Sequence, residues 1–310
     1  MPTSNALDPQ SPQARAIFDS GVISTIVFVL IFVIVTGAII YAGLRFRGRE
    51  GEADPKQVAE NKTVEIIWTV IPFLIVVFLF GLTIHAMNLA DPPPPPSPDL
   101  IVTGHQFWWQ ANYPASGVVT ANEIHIPAGK ALSVRLDSKD VLHEFWVPKL
   151  NRKMTTVPGQ RNHIWLQADK PGVYIGQCSE FCGTQHAWMR ILVVADGPAE
   201  FEQWQQAQLK PSQAPATDTA AKGLALFQTS TCINCHAIRG VTGADAGVAP
   251  DLTHVGSRQQ LGTGILENTP ANMRLWMKSP QHIKPGLLMP DFSLTDEQLD
   301  QLAEYLSSLR

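Results

Sequence analysis

Two short stretches of this sequence concentrate residues able to hold metals. In Gly176-Gln-Cys178-Ser-Glu180-Phe-Cys182-Gly-Thr-Gln-His186-Ala-Trp-Met189, two thiols, an imidazole and a thioether fall close together. Soft sulfur with imidazole suits copper, and a weak thioether ligand suits electron transfer better than Lewis-acid chemistry. Zinc would more naturally take four strong ligands, and here a second histidine has to come from elsewhere in the chain. A Cys178–Cys182 disulfide and Met189 as ordinary core are the structural alternatives at this stage. Downstream, Thr231-Cys232-Ile-Asn-Cys235-His236 is a C-x-x-C-H sequence, the pattern of covalent haem c attachment. The thiols bond the haem vinyl groups and the adjacent histidine faces the iron. A thioredoxin-like pair would need a βαβ pattern, and zinc would need a second ligand pair that His254 and His282 supply without regular spacing. The far iron ligand in this reading is Met289, in Lys284-Pro-Gly-Leu-Leu-Met289-Pro290. Met273 and Met277 fall in a helical stretch with Trp276 and read as core. A His/Met pair raises the haem potential and leaves no open position for oxygen, so the haem would carry electrons only.

Those residues must be positioned by a chain of 310 residues that is 45% hydrophobic and only 16% charged. Ordinary globular proteins are roughly 25% charged, so apolar segments are concentrated somewhere. A net charge of −4 argues against a protein that grips nucleic-acid phosphates. Residues 20–44 and 66–90 carry no formal charge. As helices each would run roughly 37 Å, enough to cross a ~30 Å hydrocarbon core with some tilt. Buried core helices seldom run so long without a charge. Pro72 lies inside the second run, where a kink is tolerated in a membrane span. Arg45, Arg47, Arg49, Lys56 and Lys62 fall between the runs, against Arg15 alone in the first 20 residues. The positive-inside rule therefore predicts a cytoplasmic loop at 45–64, an extracytoplasmic tail at 1–20, a helical hairpin over 21–90, and everything after residue 90 outside. The first residues lack the basic-then-apolar pattern of a cleaved signal, so the first span is expected to stay.

The remaining text divides by composition. Residues 91–98 form a proline-rich linker that favours stiff polyproline II. Residues 99–197 hold short strand-like stretches, Asp99–Val102, Ala131–Leu136 and His163–Leu166 among them, separated by Pro/Gly turns, which predicts an all-β sandwich or barrel. A short amphipathic helix (198–209) and a linker to 219 follow. Residues 220–310 read as helical, closing on TDEQLDQLAEYLSSL with Leu299, Leu302, Tyr305, Leu306 and Leu309 on one face and Thr295/Gln298 as a capping box.

GQCSEFCGTQHAWM, preceded by Asp140-Val-Leu-His143 and Gly104-His105-Gln106, closely resembles the binuclear copper (CuA) region of cytochrome c oxidase subunit II. The resemblance runs from the first span to about residue 197. It implies a cupredoxin-like sandwich in which Cys178 and Cys182 bridge two coppers, His143 and His186 each bind one, Met189 is a weak ligand and Glu180 offers its carbonyl. It also implies a magnesium ion held by the Glu180 carboxylate and shared with subunit I. Residues 220–310 resemble a small class I cytochrome c, with Cys232, Cys235, His236 and Met289 as haem ligands. All four cysteines are then metal-bound, and both cofactors belong on the side the basic residues predict. Many subunits II carry tryptophan after Gly-His-Gln to receive electrons from a docked donor; here Phe107 stands there, followed by Trp108 and Trp109. That places the usual docking route in question and makes these three aromatics candidates for an internal one. Glu65 resembles a glutamate that opens a proton route into subunit I, although an acid at a membrane edge is also an ordinary helix-end residue. His105, His125 and His163 read as structural.

The expected whole is a multi-domain membrane protein: a two-helix transmembrane hairpin, an all-β cupredoxin-like sandwich and an all-α cytochrome c domain. The resemblance implies a subunit of a bacterial plasma-membrane haem–copper oxidase of the caa3 arrangement, with subunit I and other subunits as partners. Soluble cytochrome c or a membrane quinol:acceptor complex would be its electron donor. The same module serving a nitric oxide reductase is the rival. A copper-delivery protein would not explain C-x-x-C-H, a nitrous oxide reductase needs a large His-rich domain, and a quinol-oxidase subunit II would lack the copper ligands.

Overall fold

The computed structural model describes residues 4–48, 51, 57–241 and 248–310. The chain forms two compact units: Arg15–Pro92, and Pro93–Arg310 together with the N-terminal residues to Ala14. Arg49 and Lys56 of the predicted cytoplasmic loop lie outside the described residues.

The first unit is a pair of helices, α1 (Pro12–Arg45) and α2 (Lys62–Ala90). Their apolar stretches have mean hydropathies of 2.9 and 2.6, and the chain buries none of either window. Side chains such as Phe32, Phe73 and Phe80 stand uncovered, which water disfavours and a lipid interior accepts. Helix α2 starts on Asn61, whose Oδ1 accepts from the Val64 N–H while Glu65 Oε1 accepts from the Asn61 N–H at 3.1 Å. Two otherwise orphaned donors are thus satisfied. Pro72 sits within α2 without ending it. Helix α1 begins at Pro12, inside the stretch read from sequence as a tail. Ser11 is the reason: its hydroxyl accepts from the Ala14 N–H and donates to the Leu150 carbonyl, so it caps the helix within the second unit, to which residues up to Ala14 belong.

The second unit opens with a sandwich of two five-stranded sheets. One sheet takes β1 (Leu100–His105), β2 (Trp108–Tyr113), β3 (Val118–Ala121), β5 (Leu132–Ser138) and β8 (Asn162–Leu166) in the order β3-β2-β1-β5-β8. The other takes β4 (Glu123–Pro127), β6 (His143–Trp146), β7 (Met154–Thr156), β9 (Gly172–Cys178) and β10 (Arg190–Asp196) in the order β4-β10-β9-β6-β7. The β1–β5 and β4–β10 pairs are parallel. Inward residues such as Leu100, Val102, Val134, Leu136, Phe145 and Ile164 fill one core, as the period of two along each strand requires.

Helix α3 (Pro198–Leu209) closes the sandwich by laying Trp204 on the His125 ring (centroids 4.2 Å apart) and against Tyr113. Beyond residues 210–217, α4 (Asp218–Thr229), α5 (Pro270–Lys278), α6 (Pro280–Ile283) and α7 (Asp296–Ser308) surround a second core that includes Phe227, Met273, Met277, Leu302 and Tyr305. Gly223 lets α4 and α7 cross closely, since a Cβ there would clash with the Gln301 carbonyl. The Thr295/Gln298 capping box forms. The region is not wholly helical: β11 (Gln260–Leu261) and β12 (Leu266–Glu267) make a small hairpin. Its turn takes Gly262, Thr263 and Gly264 through positive φ.

Candidate metal centres

The copper candidates converge at one end of the sandwich. His143 opens β6, Cys178 closes β9, and the loop from Glu180 to Met189 crosses between β9 and β10. One ring nitrogen of His143 and the two Sγ atoms lie within 4.8 Å of one another. The sulfurs of Cys178 and Cys182 are 3.8 Å apart, far beyond a ~2.05 Å disulfide bond, which removes the disulfide alternative. Cys182 Sγ is also 3.8 Å from His186 Nδ1 and 3.8 Å from Met189 Sδ. The Glu180 carbonyl lies 3.2 Å from Cys178 Sγ. All six residues named from sequence therefore meet.

The surroundings fit a metal. His143 Nδ1 is buried without a hydrogen-bond partner, while Nε2 is held by Asp140 at 2.8 Å. A ligating imidazole is ordinarily fixed in this way, one nitrogen by a carboxylate and the other free for the metal. The sulfur contact with Cys182 pulls the Cys178 thiol down to about 4, against the opposing effect of burial. Cys182 is pushed up by the same contact. Burial draws His143 down, but Cys178 and Asp140 outweigh it and leave the imidazole above its ordinary value. A bound metal would displace the protons these donors carry, because ligation needs thiolates and neutral histidines.

Three residues that sequence reasoning quoted without a role build this site. Gly104 lies under the His143 ring, where a Cβ would come within 2.6 Å of Cδ2. Gln106 donates its Nε2 to the Cys182 carbonyl at 2.7 Å and its backbone N–H to Asp140 at 2.6 Å. Asp140 thereby ties the 104–106 turn to His143. The motif Gly104-His105-Gln106 and the run Asp140–His143 were visible; that they interlock was not.

The haem candidates surround a cavity in the helical region. Cys232, His236 and Met289 line it together, with Phe227, Leu252, Leu302 and Leu306 among its apolar walls. Cys235 is exposed and lies outside that lining. His236 Nδ1 is bound to the Pro250 carbonyl at 2.7 Å, which leaves the other nitrogen for iron. Burial holds its pKa down, favouring the neutral ligand form. Gln281 clamps the Met289 loop, donating to the Leu287 and Met289 carbonyls at 2.7 and 2.6 Å. Met273 and Met277 are buried on α5 as expected of core residues, although both also reach the cavity wall.

The aromatic candidates separate. Gln106, Phe107 and Trp108 form part of the haem cavity wall. The Phe107 ring also packs on Gly183, next to Cys182, where a Cβ would stand 3.0 Å from it. Trp109 points the other way, buried against His143 and Phe145 with ring centroids 5.8 and 5.7 Å off. Trp108 stacks on His105. His125 lies between Asp196 (2.7 Å) and Glu123 (3.2 Å), and His163 meets Ser133; neither joins a metal cluster among the described residues. The carboxylate of Glu65 is engaged in the start of α2. Sequence reasoning quoted Lys284 only as the start of the Met289 segment and gave it no role. Its ammonium is buried between the two sites, and burial draws it down to about 7, opposed by the charge of Cys182.

Comparison with known proteins agrees along the whole chain. Residues 5–84 match the profile of the cytochrome C oxidase subunit II transmembrane domain, 115–196 that of its periplasmic domain, and 220–310 that of cytochrome c. A cytochrome c oxidase subunit 2 of Alkalihalophilus pseudofirmus is 38% identical over 313 residues, covering 98% of this chain and 90% of that protein. Its counterpart in Bacillus subtilis is 31% identical, with 100% and 92% covered. The solved periplasmic domain of cytochrome oxidase subunit II from Bradyrhizobium japonicum is 30% identical, covers 36% of this chain and 95% of that one, and has a TM-score of 0.35.

Proposed function

Since the chain belongs to the cytochrome c oxidase subunit II family and carries a fused cytochrome c domain, we propose that electrons reach it at the helical domain and leave it from the sandwich. It is a membrane-bound subunit of a haem–copper oxidase complex, with two spans and a periplasmic domain. When bound, the copper pair and the haem c supply reversible one-electron chemistry.

The residues divide the work as follows. Cys178 and Cys182 would hold copper as thiolates, with His143, His186, Met189 and the Glu180 carbonyl completing the set. Asp140 and Gln106 keep that set in place, which limits the rearrangement that each electron would otherwise cause. Cys232 and Cys235 would anchor the haem and His236 and Met289 would ligate it, while Pro250 fixes the tautomer of His236. Phe107 stands between the two sites and provides the internal contact, while Trp108 stacks on His105 and Trp109 packs against His143 and Phe145. The Glu180 carboxylate is free to serve a magnesium ion shared with subunit I, and Glu65 is the residue to test for proton uptake. The donor is a soluble cytochrome c or a membrane quinol:acceptor complex.

The wall common to both sites carries this reading: Gln106 and Phe107 line the haem cavity, and Gln106 also holds the Cys182 carbonyl. Rapid mixing of the purified native complex with reduced soluble cytochrome c tests it. The haem c band should be reduced first, the copper band second, with oxygen uptake following. Copper reduced ahead of haem c would reverse the direction proposed. Fast nitric oxide turnover with little oxygen uptake would move the chain to a reductase.

A further inference from the structure

The loop that presents Met289 and the loop that presents Cys182 and His186 touch each other. Lys284, Pro285 and Gly286, just ahead of Met289, make the contact. Lys284 Nζ donates to the Phe107 carbonyl at 3.3 Å and to the Thr263 hydroxyl at 2.7 Å. Gln185 donates its side-chain amide to the Pro285 carbonyl. Gly286 packs on Thr184, where a Cβ would come within 2.7 Å of Oγ1. Thr263 extends the link by donating to the Trp188 carbonyl. Thr263 does so from a φ of 63°, a left-handed conformation that a β-branched residue adopts only at a cost.

Packing does not explain the lysine. Its side chain is 4% exposed, and no carboxylate among the described residues lies within ion-pair distance. A buried ammonium without a carboxylate partner is expensive, and a methionine would fill similar room without that cost. What the ammonium gains is an acceptor on each side of the contact, one from the sandwich and one from the helical domain.

We propose that Lys284 is a positioning residue for transfer between the two centres, its ammonium tying the Met289 loop to the Phe107 carbonyl and to Thr263, which in turn holds the Trp188 carbonyl in the loop of Cys182 and His186. The inference rests on the direction of electron flow proposed above. The step it serves moves one electron from haem to copper and makes or breaks no bond, so contact between the loops governs its rate.

The test uses the purified native complex and its Lys284→Met and Thr263→Gly variants. A light-driven ruthenium reductant delivers an electron to haem c, and the copper band is followed in time. Lys284→Met should slow the haem-to-copper step by about tenfold, the scale of a lost charge-assisted hydrogen bond. Both spectra, and reduction of copper by a small mediator, should stay unchanged, while hydrogen exchange at residues 104–108 and 184–188 rises. Thr263→Gly suits the left-handed backbone and removes the hydroxyl along with the rest of the side chain; about threefold slowing is expected. An unchanged transfer rate in Lys284→Met overturns the proposal, and so does slowing without any change in exchange at the two loops. Should Lys284→Met fail to assemble, Thr263→Gly decides by the same two readings. If wild-type copper is reduced ahead of haem c, the direction of flow is what fails, and the exchange measurement still decides whether Lys284 holds the loops.

Discussion

The two metal sites are built on opposite plans. The copper donors touch one another: sulfur meets sulfur, imidazole and thioether within 3.8 Å, and Asp140, Gln106 and Gly104 fix them from behind. The iron donors do not touch. Cys232, His236 and Met289 stand around an apolar cavity, and Cys235 faces outward. The first site is held in shape by the protein, whereas the second is completed by the cofactor it encloses. A sandwich of ten strands brings distant residues together through its ladders, but four short helices around a cavity need the group that fills their middle.

The largest effect expected from this contrast is on folding. Blocking haem attachment with Cys232→Ala and Cys235→Ala together should abolish hydrogen-exchange protection of α7, whereas stripping copper with a chelator should leave β9 and β10 protected. A protected α7 without haem would break the comparison. Next, Cys182→Ser should eliminate the mixed-valence copper signal in electron paramagnetic resonance while the haem c spectrum persists; a surviving signal would discard the ligand set. Met289→Ala should leave the haem covalently bound and open to carbon monoxide, and failure to bind it would point to another ligand. Gly104→Ala sharpens the point about preformed donors, because its Cβ would press on His143. It should destabilise the sandwich by about 1–3 kcal/mol in denaturant titration and weaken copper in chelator competition, without touching the haem.

The smallest effect concerns pH. Burial pulls His125 down, but Asp196 and Glu123 outweigh it and raise its pKa above 6.5. The folded sandwich therefore keeps a proton that the unfolded chain gives up. This stabilisation is complete below pH 6.5 and is lost as pH rises through the folded value, so the melting temperature should fall across that range. His125→Gln should flatten the profile; an unaltered slope would assign the pH dependence elsewhere.

Much of this was legible in the sequence because it depends on local spacing. The spans announce themselves by runs without charge, the copper loop by four soft donors in succession, and the haem by C-x-x-C-H. His143 was legible only through resemblance, since 38 residues of strand and turn separate it from Cys182. What stayed hidden depends on contacts between distant segments. Nothing in Ile283-Lys284-Pro285 says that this lysine reaches the Phe107 carbonyl, 177 residues away. The early start of α1 was hidden for the same reason, because Ser11 caps it while bonded to Leu150. The hairpin at β11 and β12 escaped because two-residue strands leave no periodicity to read.

Helix α3 is fastened to the sandwich by Trp204 and Phe201, and α4 already belongs to the helical domain. The covalent leash between the domains is therefore only Lys210–Thr217, eight residues that can extend to at most about 28 Å. Were the contact between the ligand loops to open, the helical domain could not diffuse away. It would remain at an effective concentration in the millimolar range, set by the leash and independent of how much protein the membrane holds. Return to the sandwich is then a first-order event, and dilution of the complex leaves its rate unaltered.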